Sequence, residues 1–414
     1  MIRIEDKKKC CGCTACYSIC GEHAITMELD DEGFMYPRID AEKCIDCRAC
    51  EKVCPYIKYT EISEKYHSIQ LAVQYKDEGK REASTAGGAF SLIADYVLEQ
   101  DGIVYGVGYD NMIVCHKQAG TEEDLAQMRG SKYVQSTLND TFQEIFRLLK
   151  KKKTVLFVGT PCQVHGLKNC TGENPYLITM DLLCLGVSSP GIFGRWVNYL
   201  EEKYEDKVKT VQFRNKRFGY AVTNVRVIFD DDRILEQRYD SKAYAKTFFS
   251  GYNVRPSCYK CEFRKKPRVS DFTVGDCIQI GKYSRTMDDD KGTTSLWVHT
   301  ETAKQILKKV KERAYWKEIE SNGTNVIGGP AKQMTNPYER PAFFEDAFSM
   351  PYDVFIRKWM PDNMTSICAS IVRISFNKLP FGRYIFRLMR KKQGSRFQEK
   401  ICQIDEGSKM EKQL

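Results

Sequence analysis

CCGCTACYSIC at Cys10–Cys20 and CIDCRACEKVCP at Cys44–Pro55 carry one spacing twice. Cys10, Cys13, Cys16 and Cys20 form C-x2-C-x2-C-x3-C; Cys44, Cys47, Cys50 and Cys54 repeat it, with Pro55 behind the second run. Two intervening residues let a backbone curl around an iron-sulfur cubane, so that three thiolates reach three irons while amides point at the sulfurs. The fourth thiolate of each run lies beyond the reach of its own loop. Zinc knuckles also use four Cys or His ligands, but as two separated C-x2-C pairs. The unbroken runs therefore favour iron-sulfur clusters. Cys11 falls outside the repeat and reads as a bystander, and Gly21 stands where the first run would carry proline.

Between the runs, Ala24–Glu28 and Tyr36–Ile39 alternate as short strands. Runs and strands together resemble the bacterial dicluster ferredoxin fold over residues 1–60. The resemblance implies two [4Fe-4S] clusters that exchange their last ligands: Cys10, Cys13 and Cys16 with Cys54, and Cys44, Cys47 and Cys50 with Cys20. Clusters so placed lie within electron-tunnelling distance. Such a domain is a wire, and substrate chemistry belongs to the rest of the chain.

Composition bounds that remainder. With 414 residues, 42% hydrophobic and 29% charged, the chain has the make-up of an ordinary globular protein of two or three domains. No apolar run approaches the roughly 18 residues of a membrane span, and Met1–Cys10 lacks the apolar centre of an export signal. The expected location is the cytoplasm, where 18 cysteines, nine of them between Cys10 and Cys54, point to metal binding rather than disulfides. Net charge is +9, and from Asp353 onward 13 Lys and Arg face 6 Asp and Glu. A basic tail favours acidic partners. No interleaved basic and aromatic motif accompanies it, so no nucleic-acid partner is expected.

Beyond Tyr59, apolar runs alternate with helical stretches. The pattern predicts strands at 71–75, 103–107, 154–158, 177–182, 223–229 and 234–238, and helices at 90–99, 141–150 and 193–203. That alternation describes a mixed α/β domain. Ser84-Thr85-Ala86-Gly87-Gly88 opens a helix, where backbone amides can meet a phosphate or a flavin edge; taken alone, a plain helix-entry turn fits it better. Gly130-Ser131-Lys132-Tyr133 puts a cation and a hydroxyl beside another turn. Cys162, in Gly159-Thr160-Pro161-Cys162-Gln163, follows a strand at the mouth of a helix, a place that suits ligands in α/β sheets. Cys184 ends the next strand, and Cys258 and Cys261 have C-x2-C spacing. Four cysteines suffice for one more cluster, although spacing alone leaves a zinc site or independent buried thiols open.

In order and approximate spacing, Ser84–Gly88, Gly130–Tyr133, Gly159–Gln163, Cys184–Gly186 with Ser189-Pro190, Cys258–Cys261, and Ser270-Asp271 with Gly275-Asp276 resemble the coenzyme F420 hydrogenase/dehydrogenase beta-subunit family, over roughly residues 65–350. The resemblance implies an FAD-bearing domain that passes two electrons between a deazaflavin or other substrate and iron-sulfur clusters. A flavin suits that junction because it accepts two electrons together and releases them singly. By carry-over, Gly87, Gly88, Ser131 and Lys132 become candidate flavin contacts. Cys162, Cys184, Cys258 and Cys261 become candidate ligands of a third [4Fe-4S] cluster. Cys277 stands where an aromatic residue is expected and could take the place of one of them. The chemistry transfers better than the substrate does, since some relatives accompany surface-polysaccharide synthesis.

Three units are therefore expected: a ferredoxin domain at 1–60, a mixed α/β flavin domain at 61–350, and a basic helical segment at 351–414, an α+β chain overall. The lone histidines His116, His165 and His299 read as structural, with His165 also placed to protonate a reduced substrate. Lys291–Ser295 reads as an ordinary turn. Phe381, Ile385, Leu388 and Met389 alternate with Arg383, Arg387, Arg390 and Lys391, as in a helix packed on its own domain or lying on an anionic membrane. The leading reading is a cytoplasmic oxidoreductase exchanging electrons with a ferredoxin-like partner and acting on a small molecule. The alternative is a non-catalytic electron-transfer subunit that docks onto a separate enzyme.

Overall fold

The computed structural model describes residues 2–58, 68–222, 224–264, 268–319 and 337–362. In the first segment two one-turn helices, Ala15–Ile19 (α1) and Ala49–Val53 (α2), flank a hairpin of Ile25–Leu29 (β1) and Met35–Ile39 (β2), paired Ile25 to Ile39. Both hairpin strands fall within a residue of the expected positions.

The main chain path then runs through Ile69–Tyr75 (β3), Glu78–Ala83 (α3), Ala89–Glu99 (α4), Ile103–Asp110 (β4), Ile113–Ala119 (β5), Glu122–Met128 (α5), Thr141–Lys150 (α6) and Val155–Gly159 (β6). It continues with Pro161–Thr171 (α7), Leu177–Leu182 (β7) and Pro190–Tyr204 (α8). Next come Val208–Gln212 (β8), Arg226–Phe229 (β9), Ile234–Glu236 (β10) and Tyr239–Phe249 (α9). Phe272–Asp276 (β11), Ile280–Tyr283 (α10), Thr294–Val298 (β12), Glu301–Val310 (α11), Ala314–Ile319 (β13), Arg340–Ser349 (α12) and Tyr352–Trp359 (α13) complete it. Eight strands form one sheet in the order β13-β3-β12-β11-β7-β6-β4-β5, parallel from β11 to β4 and antiparallel at both flanks.

Alternate residues of the central strands enter two separate cores, which is how a strand reads when both faces are covered. Leu156, Val158, Ile178 and Met180 pack under α4, α5 and α11 with Leu92, Leu125 and Ile306. Val155, Phe157 and Leu177 pack on the opposite face under α6 and α7 with Phe142, Ile145 and Val164. Cys11, Cys13, Ala15 and Val53 belong to this second core, so the cysteine-rich segment is built onto the α6–α7 face rather than tethered to it. Tyr17 donates to Asp140 at 2.7 Å and Asn169 to the Val53 carbonyl at 3.1 Å across the same seam.

Between β7 and β11 the chain makes a long excursion that closes a third core. The antiparallel sheet β10-β9-β8 packs with α8, α9, α12 and α13 around Trp196, Phe213, Tyr244 and Phe343. The excursion returns through single turns at Pro256–Lys260 and Glu262–Arg264, which brings Cys258 and Cys261 back to the sheet edge that Cys184 leaves. β5, β8, β11, β12 and β13 were not among the predicted strands. Thr223 and the 363–414 tail, including the amphipathic stretch from Phe381, lie outside the described residues. Among the described residues no helix is long and apolar enough to cross a membrane.

His116 and His299 are held neutral by this packing. Burial draws them down to about 4 and about 3. His116 Nε2 stands 3.1 Å from the Val158 carbonyl and its Nδ1 3.1 Å from Ser136 Oγ. Below the unfolded value near 6.5 the unfolded chain binds protons that the folded one refuses. The two histidines therefore contribute stability that is complete above about pH 6.5 and lost as pH falls toward 4. Denaturant unfolding at pH 5 should give roughly 2 kcal/mol less stability per histidine than at pH 7, and His116→Gln should show a smaller fall than the parent chain.

Candidate iron-sulfur and redox site

Each cysteine run turns by the same device. Gly12 and Thr14 have φ of +68° and +60°; Asp46 and Arg48, at the same offsets in the second run, have +49° and +59°. Left-handed residues at those two places curl each loop inward, and only the first run supplies a glycine for the cost. Cys20 and Cys54 close α1 and α2 at their C-terminal ends. Each helix thereby carries the last cysteine of its run away from its own loop.

Cys10, Cys13, Cys16 and Cys54 line one small cavity together with Ile2, Met27, Pro37 and Tyr56. Burial raises the Cys16 thiol, and charge on Cys13, Cys10 or Cys54 raises it further; burial likewise pushes Cys54 up to about 11. Three cysteines of the first run thus meet the last cysteine of the second. In the other set, Cys20 Sγ accepts from Ala24 N and Cys50 Sγ from Ile2 N, each at 3.4 Å. Cys44 is half-buried and Cys47 exposed. Among the described residues no three Cys, His, Asp or Glu side chains close around a single ion; a cubane instead holds its thiolates on separate irons.

Cys162, Cys184, Cys258 and Cys261 come from separate places in the chain and meet at the carboxyl ends of β6 and β7. Cys162 sits in the first turn of α7, 3.2 Å from Thr160 Oγ1. Cys184 Sγ donates to the Gly186 carbonyl at 3.7 Å, and a side chain at Gly186 would lie 3.4 Å from Cys258 Cβ. Burial pushes Cys184 up to about 12 and Cys261 up to about 11, and neighbouring thiolates of the group add to both. Iron would relieve that penalty, because a metal deprotonates a coordinating thiol outright. Cys277 stays apart, packed with Ala72, Ile280, Met287 and Ile319.

Cys11 is not idle. It is buried in the core that Cys13 shares and against which Cys162 packs, and the neighbouring Cys11 thiol helps draw Cys162 below the usual thiol range. Tyr56 stands in the same seam, close enough to feel Cys11, Cys162, Cys261 and Cys258. Tyr56 lines the cavity of the first quartet, and its ring meets that of Phe263, two residues beyond Cys261, at 5.3 Å. Gly166 in α7 completes the approach, since a Cβ there would come within 2.9 Å of Cys13 Sγ.

The four residues expected at a flavin occupy two adjoining turns. Thr85 Oγ1 accepts from Ser131 N at 2.7 Å and lies 2.9 Å from Ser131 Oγ. Gly87 donates to Thr294 Oγ1 at 2.9 Å, and its missing side chain lets the Val73 carbonyl approach. Gly88 has φ +86° and begins α4. The Lys132 ammonium is taken up by the carbonyls of Gln127, Met128 and Arg129 at 3.0–3.1 Å. Gly130 faces open space. Gly87 and Gly88 are buried while Gly130 is exposed, and Lys132 and the Gly87 amide are satisfied within the protein. His165 is buried against Phe263, 5.5 Å between ring centres, away from any open edge.

Residues 152–322 match the family model for the C-terminal part of the beta subunit of coenzyme F420 hydrogenase/dehydrogenase. That match covers less than half of the chain, which over this span is similar to the beta-subunit family. The beta-subunit span contains Cys162, Cys184, Cys258 and Cys261, whereas the turns at Gly87 and Ser131 precede it. Residues 9–57 match a 4Fe-4S dicluster domain, which covers all eight repeated cysteines. A chain of the F420-reducing [NiFe] hydrogenase complex from Methanosarcina barkeri is similar at 17% identity and TM-score 0.43, over 71% of this chain and 91% of that one. No curated protein matches.

Proposed function

We propose that this chain is a member of the beta-subunit family and an iron-sulfur oxidoreductase, twelve of whose cysteines hold three [4Fe-4S] clusters in series. Cys44, Cys47, Cys50 and Cys20 hold the outermost cluster, Cys10, Cys13, Cys16 and Cys54 the middle one, and Cys162, Cys184, Cys258 and Cys261 the innermost. The observation that carries the reading is the core in which buried Cys11 and Cys13 pack together with Cys162. It puts the ferredoxin-type segment against the later quartet, as a wire requires.

The chain's own residues give the path a direction in space. Exposed Cys47 and Ile45 mark the end open to a ferredoxin-like partner. At the other end Leu182, Leu183 and Leu185 flank Cys184, and Ile278 is 76% exposed just beyond β11. This apolar edge at the carboxyl ends of parallel strands is the place where α/β sheets take ligands, and it is where we put the flavin ring or an organic substrate. Gly88, Gly130 and Ser131 would border an FAD. The clusters carry electrons singly, and a bound flavin would pair them. The substrate belongs to the class of hydride or two-electron acceptors, a deazaflavin or a compound of surface-polysaccharide synthesis.

Gentle anaerobic purification should return about one flavin per chain, and the single chain should reduce a dye at the expense of a small-molecule donor. Flavin-free protein that turns over nothing alone but co-purifies with a catalytic subunit would replace this reading with that of a non-catalytic electron-transfer subunit.

A further inference from the structure

Arg255 is 0% exposed, one of the largest side chains buried so completely. Its Nε donates to the Cys10 carbonyl at 2.8 Å, Nη1 to Gln135 Oε1 at 3.0 Å, and Nη2 to the Met35 carbonyl at 3.0 Å and Cys10 Sγ at 3.6 Å. The guanidinium lies 4.1 Å above the Tyr36 ring. Gly12 leaves room for it, since a Cβ there would stand 3.0 Å from Nη1. Its backbone is fixed just as firmly, with Arg255 N donating to the Val187 carbonyl and Cys258 N donating to the Arg255 carbonyl, each at 2.9 Å. One residue thus joins the loop after Cys184, the turn bearing Cys258, and Cys10.

The other deeply buried arginines face carboxylates. Arg340 forks onto Glu32 at 2.5 and 2.6 Å, Arg268 reaches Asp181 at 3.4 Å, and Arg81 reaches Asp289 at 2.8 Å. Arg255 has no carboxylate partner among the described residues; the groups that act on its charge are Cys10, Tyr36, Cys11 and Cys258. A guanidinium stays charged in a protein, and burying a charge without a counter-ion is costly. The fold therefore places a permanent cation where the anion within its reach is the thiolate group that begins at Cys10.

We propose that Arg255 is the built-in counter-ion of the middle cluster and sets its potential. The proposal rests on the reading that Cys10, Cys13, Cys16 and Cys54 hold iron. Reduction adds one electron and so one negative charge. A fixed cation and an N–H directed at a ligand sulfur favour the reduced form and raise the midpoint. Because the guanidinium is charged in both states, no proton need accompany the electron. At Cys20 and Cys50 the donors are backbone amides instead, so the middle cluster is easier to reduce than the outermost one and draws electrons inward.

Redox-titrated EPR of the anaerobic full-length chain tests this. Arg255→Met should keep its iron, yet one cluster alone should become at least tenfold harder to reduce, about 59 mV for a one-electron couple. Arg255→Lys, with the charge but not the fork, should shift the same cluster less. Gln135→Glu keeps the arginine and adds one opposing charge beside it, so it should lower the same midpoint even if Arg255→Met proves unstable. Full iron with unmoved midpoints in Gln135→Glu, or equal falls in every cluster, overturns the role of Arg255 alone. A wild-type chain without iron on the N-terminal cysteines overturns the cluster reading beneath it.

Discussion

A Cys54→Ala chain is expected to lose the four-iron signal of the cluster built on Cys10, Cys13 and Cys16, although Cys54 belongs to the other sequence run. Its EPR spectrum should match that of Cys13→Ala and differ from that of Cys47→Ala. Cys20→Ala should do the reverse. The reason is geometric: α2 delivers Cys54 into the cavity shared by the first three cysteines, and α1 carries Cys20 out of it. With three thiolates the fourth iron loses its protein sulfur ligand, so the affected cluster leaves, sheds that corner or changes its signal. Spectra paired by run, with Cys54→Ala resembling Cys47→Ala, would show that no ligand is exchanged.

Cys184→Ala should remove the innermost cluster, about four irons per chain, while leaving both N-terminal signals intact. Electron transfer from a reduced ferredoxin-like donor to the substrate end should fall to the level of a protein-free blank. The outer clusters should still be reduced, because their eight cysteines lie in a separate segment. Cys277→Ala is the control: its side chain packs with Ala72, Ile280 and Met287, and the innermost signal should survive. Loss of both N-terminal signals in Cys184→Ala would mean that the quartet supports the fold rather than the wire.

How much of this was legible in the sequence depended on range. Local signals were readable. α6 and β7 fall at their predicted residues, because an amphipathic run and an unbroken apolar run between turns need no distant partner to declare themselves. The eight repeated cysteines were readable because a loop around a cubane fixes their spacing. β11 and β12 were not, since Phe272–Asp276 and Thr294–Val298 are five residues each and take their identity from β7 and β3 beside them. Cys11 looked idle because it breaks the repeat, and only the seating of α7 on α1 shows what it touches. Arg255 gave no signal at all: a lone arginine in a basic stretch reads as solvated, and Cys10, its partner, is 245 residues away. Lys132 misled in the opposite sense, its ammonium being directed at the end of α5 rather than at an open edge.

Iron and acid-labile sulfide counted on the anaerobically reconstituted full-length chain test the central claim most directly. Three quartets of cysteine predict about twelve of each per chain, with three distinguishable EPR signals on reduction. A count that stops at about eight, with Cys162, Cys184, Cys258 and Cys261 still open to thiol reagents in the reconstituted protein, would contradict it.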